Sequence, residues 1–232
     1  MHSPVSIAAR IALVRDQIAA AEAKAGRPSQ TVQLLAVSKT QPVDALRQAI
    51  DAGQRHFAEN YLQEALDKID ALEAQPDLTW HFIGPIQSNK TRPLAERFDW
   101  IHSVDRLKIA QRLNEQRPAY APLLNVLIQV NVSDEDTKSG VLLSEVAALA
   151  DAIAALPRLS LRGLMCIPAP GTDPALQREP FRQLRSLRDA LVAAGHTHCT
   201  ELSMGMSSDY SVAIEEGATF VRIGTDLFGR RS

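Results

Sequence analysis

The sequence predicts an α/β fold, a single (β/α)8 TIM barrel with an extra N-terminal helix. Two observations carry this. Eight short apolar runs alternate with longer segments of helical periodicity from residue 32 onward, the cadence of parallel βαβ units. The chain, 232 residues with no linker, repeat or low-complexity tract, also has the length of one barrel. An open doubly wound sheet would favour a G-x-G-x-x-G turn after the first strand. The segment there, Val37-Ser38-Lys39-Thr40-Gln41-Pro42, has no glycine. Only residues 223–232 follow Arg222, so 1–232 reads as one domain.

The first element is helical. Ile7, Ile11, Val14 and Ile18 recur at helical spacing, so residues 5–27 form an amphipathic helix that packs on the barrel. Arg10, Arg15 and Asp16 interrupt it, which excludes the apolar core of a signal peptide, and Asp16 with Glu22 disfavours a transit peptide. Strands are expected at 32–38, 55–59, 79–83, 98–102, 125–131, 159–165, 199–203 and 219–222. Helices are expected between and after them at 43–52, 61–72, 90–96, 105–116, 143–155, 174–194 and 208–216. Gly53, Gly195 and Gly217 follow three of these helical patterns, where a left-handed residue ends a helix at least cost.

Composition narrows the function classes. A formal net charge of -2 gives no footprint for nucleic acid or for a polybasic membrane anchor, and no apolar stretch approaches transmembrane length. Cys166 and Cys199 are the only cysteines, too few for a disulfide framework or a thiolate metal site. His196, His198 and Cys199 cluster without a second ligand group nearby, so no metal is expected there. A reducing cytoplasm is the natural compartment.

Barrel enzymes carry their chemistry at the C-terminal ends of the strands. Lys39 ends the first apolar run, Glu59 and Asn60 the second, His81 and Gly84 the third, Asn131 the fifth, and Met165 to Pro168 follow the sixth. All are expected on one rim. A lysine at the end of a buried strand is either a cap reaching solvent or an amine that attacks carbonyls. The loops after strands seven and eight, where barrels often hold phosphate, are Ser203-Met204-Gly205-Met206-Ser207-Ser208-Asp209 and Arg222-Ile223-Gly224-Thr225-Asp226. Both combine glycine, hydroxyls and the start of a helical turn, the chemistry of an anion cradle and also of an ordinary turn. Arg222 should face inward, toward either a ligand acceptor or a rim carboxylate such as Glu201. An amine and a phosphate cradle on one rim suit pyridoxal 5′-phosphate and also a Schiff-base aldolase acting on a sugar phosphate; Arg222 helps choose, since a guanidinium can donate to a pyridine nitrogen.

Six motifs then add a resemblance. They are Leu35-Ala36-Val37-Ser38-Lys39-Thr40, His56-Phe57-Ala58-Glu59-Asn60-Tyr61, Trp80-His81-Phe82-Ile83-Gly84-Pro85-Ile86-Gln87-Ser88-Asn89-Lys90, Leu161-Arg162-Gly163-Leu164-Met165, Leu202-Ser203-Met204-Gly205-Met206-Ser207 and Val221-Arg222-Ile223-Gly224-Thr225. In order and without large gaps from about residue 5 onward, they resemble the pyridoxal phosphate homeostasis proteins. The resemblance implies a barrel like the N-terminal domain of alanine racemase and pyridoxal 5′-phosphate as cofactor. It implies Lys39 as the Schiff-base lysine, Asn60 near the cofactor ring, Ser207, Gly224 and Thr225 on the phosphate, and Arg222 facing the pyridine nitrogen. The visible departure is Pro85-Ile86, where the family more often has a leucine near that place.

The family reading is a carrier that buffers or hands over the cofactor in vitamin B6 homeostasis, as a cytoplasmic monomer, with apo pyridoxal-phosphate enzymes as candidate recipients. The alternative is a racemase of weak activity. Racemisation needs a base on each face of the substrate, and Tyr61, Tyr120 and Tyr210 are the only tyrosines. An arginine at the pyridine nitrogen also weakens the ring as an electron sink. A sugar-phosphate aldolase and an interaction module without ligand complete the alternatives. Lys138, in a polar loop with Asp134 and Asp136, is a competing amine. The loop mimics an EF-hand, with Glu145 at the final ligand offset, but Lys138 occupies a ligand position and Ser139 the required glycine.

Overall fold

The computed structural model describes residues 5–132, 139–169 and 174–229; Lys138, Asp134 and Asp136 lie outside them. Eight parallel strands close a barrel in the order β1 to β8. They are β1 Gln33–Val37, β2 His56–Glu59, β3 Thr79–Phe82, β4 Trp100–Val104, β5 Leu124–Gln129, β6 Leu159–Met165, β7 Glu201–Ser203 and β8 Phe220–Ile223. The helices are α1 Ile7–Lys24, α2 Val43–Asp51, α3 Leu62–Ala71, α4 Thr91–Arg97, α5 Leu107–Gln116, α6 Val146–Ala154, α7 Pro174–Ala193, α8 Tyr210–Glu215 and the short α9 Thr225–Phe228.

Strand alternation sorts side chains to two faces. Outward residues such as Leu34, Ala36, Phe57, Phe82 and Val221 join the large core between barrel and helices. Leu35, Ala58, Ile83, Leu127, Met165 and Phe220 form a smaller core inside the barrel, with Val37 and Trp100 against it. Asn60 directly follows β2, whose Ala58 faces inward, and Lys39 follows β1 in the turn beyond Val37.

Helix α1 packs as its periodicity predicts. Ser6 caps it by accepting from the Ala9 N–H at 3.2 Å, and Ile11, Val14 and Ile18 are buried. Its polar residues fasten neighbours. Arg15 donates to the Ala52 and Gly53 carbonyls at the end of α2, and Glu22 accepts from the Gln30, Thr31 and Val32 N–H groups before β1. Gly53, Gly195 and Gly217 all take positive φ, at 82°, 110° and 101°.

Two strands start two residues later than expected, β7 at Glu201 and β4 at Trp100. Residues 98–102 were the apolar run, but β4 is Trp100–Val104. Phe98 follows α4 and packs edge-on to Phe82 in the helix layer. The Asp99 carboxylate accepts the Trp80 N–H at 2.8 Å, so the strand starts only after it. A register irregularity between Ile101 and Val104 then carries pairing further along the chain.

Candidate functional site

Lys39 lies two residues beyond β1 in a turn, half-buried. Because β8 pairs with β1, Leu35 opposite Arg222 and Ala36 opposite Ile223, the first strand's lysine and the last strand's glycine loop share one cleft. Lys39, Thr40, Gly224, Thr225 and Gly229 line it. Thr225 opens α9, so its N–H has no partner within the helix. The second loop predicted to hold phosphate follows β7 and is tied to β8 where the Gly205 carbonyl accepts the Arg222 N–H at 3.0 Å, but Ser207 does not line this cleft. Ser207 instead lines a depression between α1 and α8 with Gln17 and Tyr210, and the Asp209 carboxylate organises the turn by accepting the Met206 N–H at 2.6 Å.

Among the described residues, Arg222 is one of two buried arginines with neutral acceptors, the other being Arg117 on the Ala95, Phe98 and Pro122 carbonyls. Arg222 is 3% exposed, yet its guanidinium meets neutral acceptors. Nη1 donates to Ser203 Oγ and Nη2 to the Cys166 carbonyl, both at 2.8 Å. No carboxylate lies within ion-pair distance of it among the described residues, and Glu201, the sequence-based candidate, faces Arg162 at 3.8 Å instead. The shared strand parity of Arg222 and Phe220 sends Arg222 inside, whereas Glu201 is two residues nearer the other mouth of the barrel than Ser203. Burial presses Arg222 below its ordinary value, with Cys166 and Asp209 pulling the other way.

His81 corrects the sequence reading. Expected on the rim, it is fully buried inside the barrel, because β3 runs on past it to Phe82 and the next inward residue is Ile83. It forms the middle of a hydrogen-bonded column: His56 Nδ1 to His81 Nε2 at 3.0 Å, His81 Nδ1 to His102 Nε2 at 2.9 Å, and His102 Nδ1 to Ser203 Oγ at 2.8 Å. Burial, then the charges of His102 and His56, hold His81 well below the usual imidazole range; burial, then Arg222, does the same to His102. Both rings are therefore neutral, with one donor and one acceptor each. One assignment leaves no group in the column unsatisfied. Ser203 accepts from Arg222 and donates to His102, and each ring passes a hydrogen bond toward His56. The column thus ends by presenting the serine oxygen to the arginine.

Asn60 follows β2, and its Oδ1 is buried without a hydrogen-bond partner. An orphaned buried acceptor is costly, so it marks a place where a ligand donor would be welcome. Gly84 fixes its position: a Cβ there would sit 2.0 Å from the Asn60 carbonyl oxygen. Asn131, the rim residue predicted after β5, is buried and donates its N–H to Val141 O at 2.9 Å.

Away from the rim, His196 pairs with Asp151 at 2.8 Å, and Cys199 is buried. The sequence reading missed Ser203 as the partner of Arg222 and His102 as the ring behind it. Strand parity would have found them, since His56, His81 and His102 all fall on inward positions of consecutive strands.

The family model described as "Alanine racemase, N-terminal domain" matches residues 11–232. A pyridoxal phosphate homeostasis protein of Pseudomonas aeruginosa is 58% identical over 226 residues, covering 97% of this chain and 96% of that protein. Its namesake from Escherichia coli strain K12 is 54% identical over 227 residues, covering 97% of each. The solved structure of PipY from Synechococcus elongatus PCC7942 with PLP bound is 41% identical, with a TM-score of 0.86, and covers 97% of this chain and 100% of that one. A barrel closed between a lysine turn and a buried arginine is thus accompanied by near-complete sequence matches, and the chain belongs to the pyridoxal phosphate homeostasis proteins, within the family of the alanine racemase N-terminal domain.

Proposed function

We propose that this protein binds pyridoxal 5′-phosphate through Lys39 and holds it for vitamin B6 homeostasis, buffering the cofactor or delivering it to apo-enzymes. When bound, the cofactor supplies an aldehyde that condenses with a lysine amine and a phosphate that anchors its far end. The carrying observation is Arg222, a buried guanidinium with only neutral partners. Such a group is poised for a ligand acceptor, here the pyridine nitrogen. Three further features fit the same ligand. Lys39 and the Gly224–Thr225 turn share a cleft, Ser207 stands in the neighbouring loop, and Asn60 Oδ1 has no partner.

Holding is favoured over turnover. An arginine leaves the pyridine nitrogen unprotonated, which lowers the ring's capacity to accept carbanion charge. The tyrosines supply no poised second base. Tyr210 donates its hydroxyl to Gln17 Oε1 at 2.6 Å, Tyr120 precedes β5 at the opposite mouth of the barrel, and Tyr61 is 54% exposed. A cytoplasmic location belongs to the same proposal, supported by two buried free thiols that suit a reducing compartment.

The test is an absorbance titration with pyridoxal 5′-phosphate followed by borohydride reduction. Wild type should show the band of a lysine-linked cofactor and trap it at Lys39. Lys39→Ala should lose the band while retaining weaker, phosphate-dependent binding. A band that persists in Lys39→Ala would place the linkage on another lysine. Rapid exchange of a substrate Cα proton into deuterated water, far above free cofactor, would favour the racemase instead.

A further inference from the structure

The turn that carries Lys39 is strained. Thr40 has φ of 63°, a left-handed conformation that a β-branched residue adopts only under constraint, at a cost of about 1–2 kcal/mol. The turn closes on itself, the Gln41 N–H donating to the Ser38 carbonyl at 3.0 Å, and β2 and α3 add further constraint. The Thr40 N–H donates to Glu64 Oε1 at 2.5 Å. On the other side of Lys39, the Ser38 hydroxyl donates to Glu59 Oε1 at 2.6 Å, and the Ser38 carbonyl accepts from Lys68 Nζ at 2.6 Å. Lys68 ties these grips together. Its ammonium, 3% exposed as a residue, also donates to Glu59 Oε1 at 2.8 Å and to Glu64 Oε1 at 2.5 Å. Three donors meet three acceptors, which is the full capacity of an ammonium.

This cluster lies on the helix side of the barrel wall. Glu59 shares the outward face of β2 with Phe57, and Lys68 falls on the buried face of α3 beside Ala65 and Ile69. The cluster therefore faces away from the barrel interior. What it holds is the backbone immediately before and after Lys39. A structural ion cluster has no need to bond both neighbours of one residue, nor to keep a threonine left-handed.

We propose that Glu59, Glu64 and Lys68 are positioning residues for Lys39, a clamp that sets where its amine points before the cofactor arrives. This rests on the reading that Lys39 carries the cofactor. Local strain retained by surrounding bonds is a recurrent mark of a functional position. The clamp acts on approach geometry, so it should govern linkage to Lys39 more than non-covalent capture of the phosphate end.

Glu64 is the residue to change, because its side chain is 29% exposed and its loss leaves the Lys68–Glu59 pair in place. Glu64→Ala and Glu64→Gln are compared with wild type in two readouts. One is the stopped-flow rate of lysine linkage on mixing with pyridoxal 5′-phosphate. The other is the Kd of pyridoxine 5′-phosphate, which has no aldehyde. Displacing a reacting atom by about an ångström can cost up to roughly a hundredfold in rate, so Glu64→Ala should slow linkage by about tenfold. It should leave the Kd for pyridoxine 5′-phosphate within about twofold by the same reasoning, and Glu64→Gln, which keeps an acceptor for the Thr40 N–H, should restore the rate. Unchanged linkage in Glu64→Ala overturns the clamp, and so does a rate that falls only in step with pyridoxine 5′-phosphate affinity. Lys39→Ala run in parallel separates the two ideas. If that variant still links the cofactor, the assignment of Lys39 fails and the clamp with it; if it does not, a negative result in Glu64→Ala counts against the clamp alone.

Discussion

Acidification should destabilise this barrel from the inside. His81 and His102 are fully buried, and their imidazoles are held well below the ordinary value of 6.5. In the unfolded chain both take up protons near that value. The stability conferred by keeping them neutral is therefore fully present above pH 6.5 and is lost as pH falls below it, until the folded-state values are reached. Between pH 7.0 and 5.5 an imidazole that stays neutral only in the fold costs about 1.2 kcal/mol, so the pair costs about 2.5 kcal/mol. His56, at the open end of the column and also lowered by burial, adds in the same direction. Buried carboxylates act oppositely: Glu59, Asp99 and Asp209 are raised by burial, so they favour the fold as pH falls toward their unfolded values. A variant separates the two effects. Urea unfolding of cofactor-free wild type and His81→Gln at both pH values gives a difference in which the carboxylates cancel. Wild type should lose about 1.2 kcal/mol more than the variant over this interval. Equal losses, or a larger loss in the variant, would refute neutral burial of His81.

Three further outcomes follow from the same geometry. Gly84→Ala places a Cβ 2.0 Å from the Asn60 carbonyl oxygen, so it should cost about 2–4 kcal/mol in thermal or urea unfolding and weaken cofactor binding by shifting Asn60. Arg222→Met should separate stability from function: with no carboxylate left behind, unfolding free energy should stay within about 1–2 kcal/mol of wild type, while affinity for pyridoxal 5′-phosphate in an absorbance titration drops sharply. Burial pushes the Cys166 thiol up to about 12 and the Cys199 thiol up to about 11. Neither should react with a disulfide reagent at pH 8 until denaturant is added.

The barrel was legible because buried parallel strands read as short apolar runs, and because helix-ending glycines separate several of them from the preceding helical patterns. All eight strands overlap the predicted runs, with β4 and β7 starting two residues late and β5 ending two early; the apolar start at Phe98 belongs to the helix layer. Hydrophobicity alone could not separate Phe98 from Ile101, since both are buried in the same core between barrel and helices. The site was half legible. Lys39 and the Gly224–Thr225 turn are adjacent because β1 pairs with β8, which the barrel topology predicts without coordinates. The fates of Arg222 and Glu201 turn on register between β7, β8 and β6, which a sequence of short strands does not specify. Lys68 did carry a signal. It is a lysine on the apolar face of α3, four residues after Glu64, but its target is the turn after β1, and only the packed barrel brings the two together.

The two polar networks act on opposite sides of the same wall. Outside, Lys68 and its two glutamates hold the Lys39 turn; inside, the histidine column and Ser203 hold Arg222. Each network satisfies its own donors with groups that belong to it. Lys68 gives all three hydrogens to protein acceptors, and the neutral rings pass one hydrogen bond along without a net charge. Neither network draws on the Lys39 amine, and the column asks Arg222 for only one of its five N–H donors. Had Arg222 been paired with a carboxylate, a ligand nitrogen would have had to compete with an ion pair, at a cost of several kcal/mol. Neutral acceptors position the guanidinium and leave its remaining donors available. An amine and a cation on adjoining strands, both still able to take a partner, are what the proposed capture and release of an aldehyde-bearing, anionic heterocycle would need.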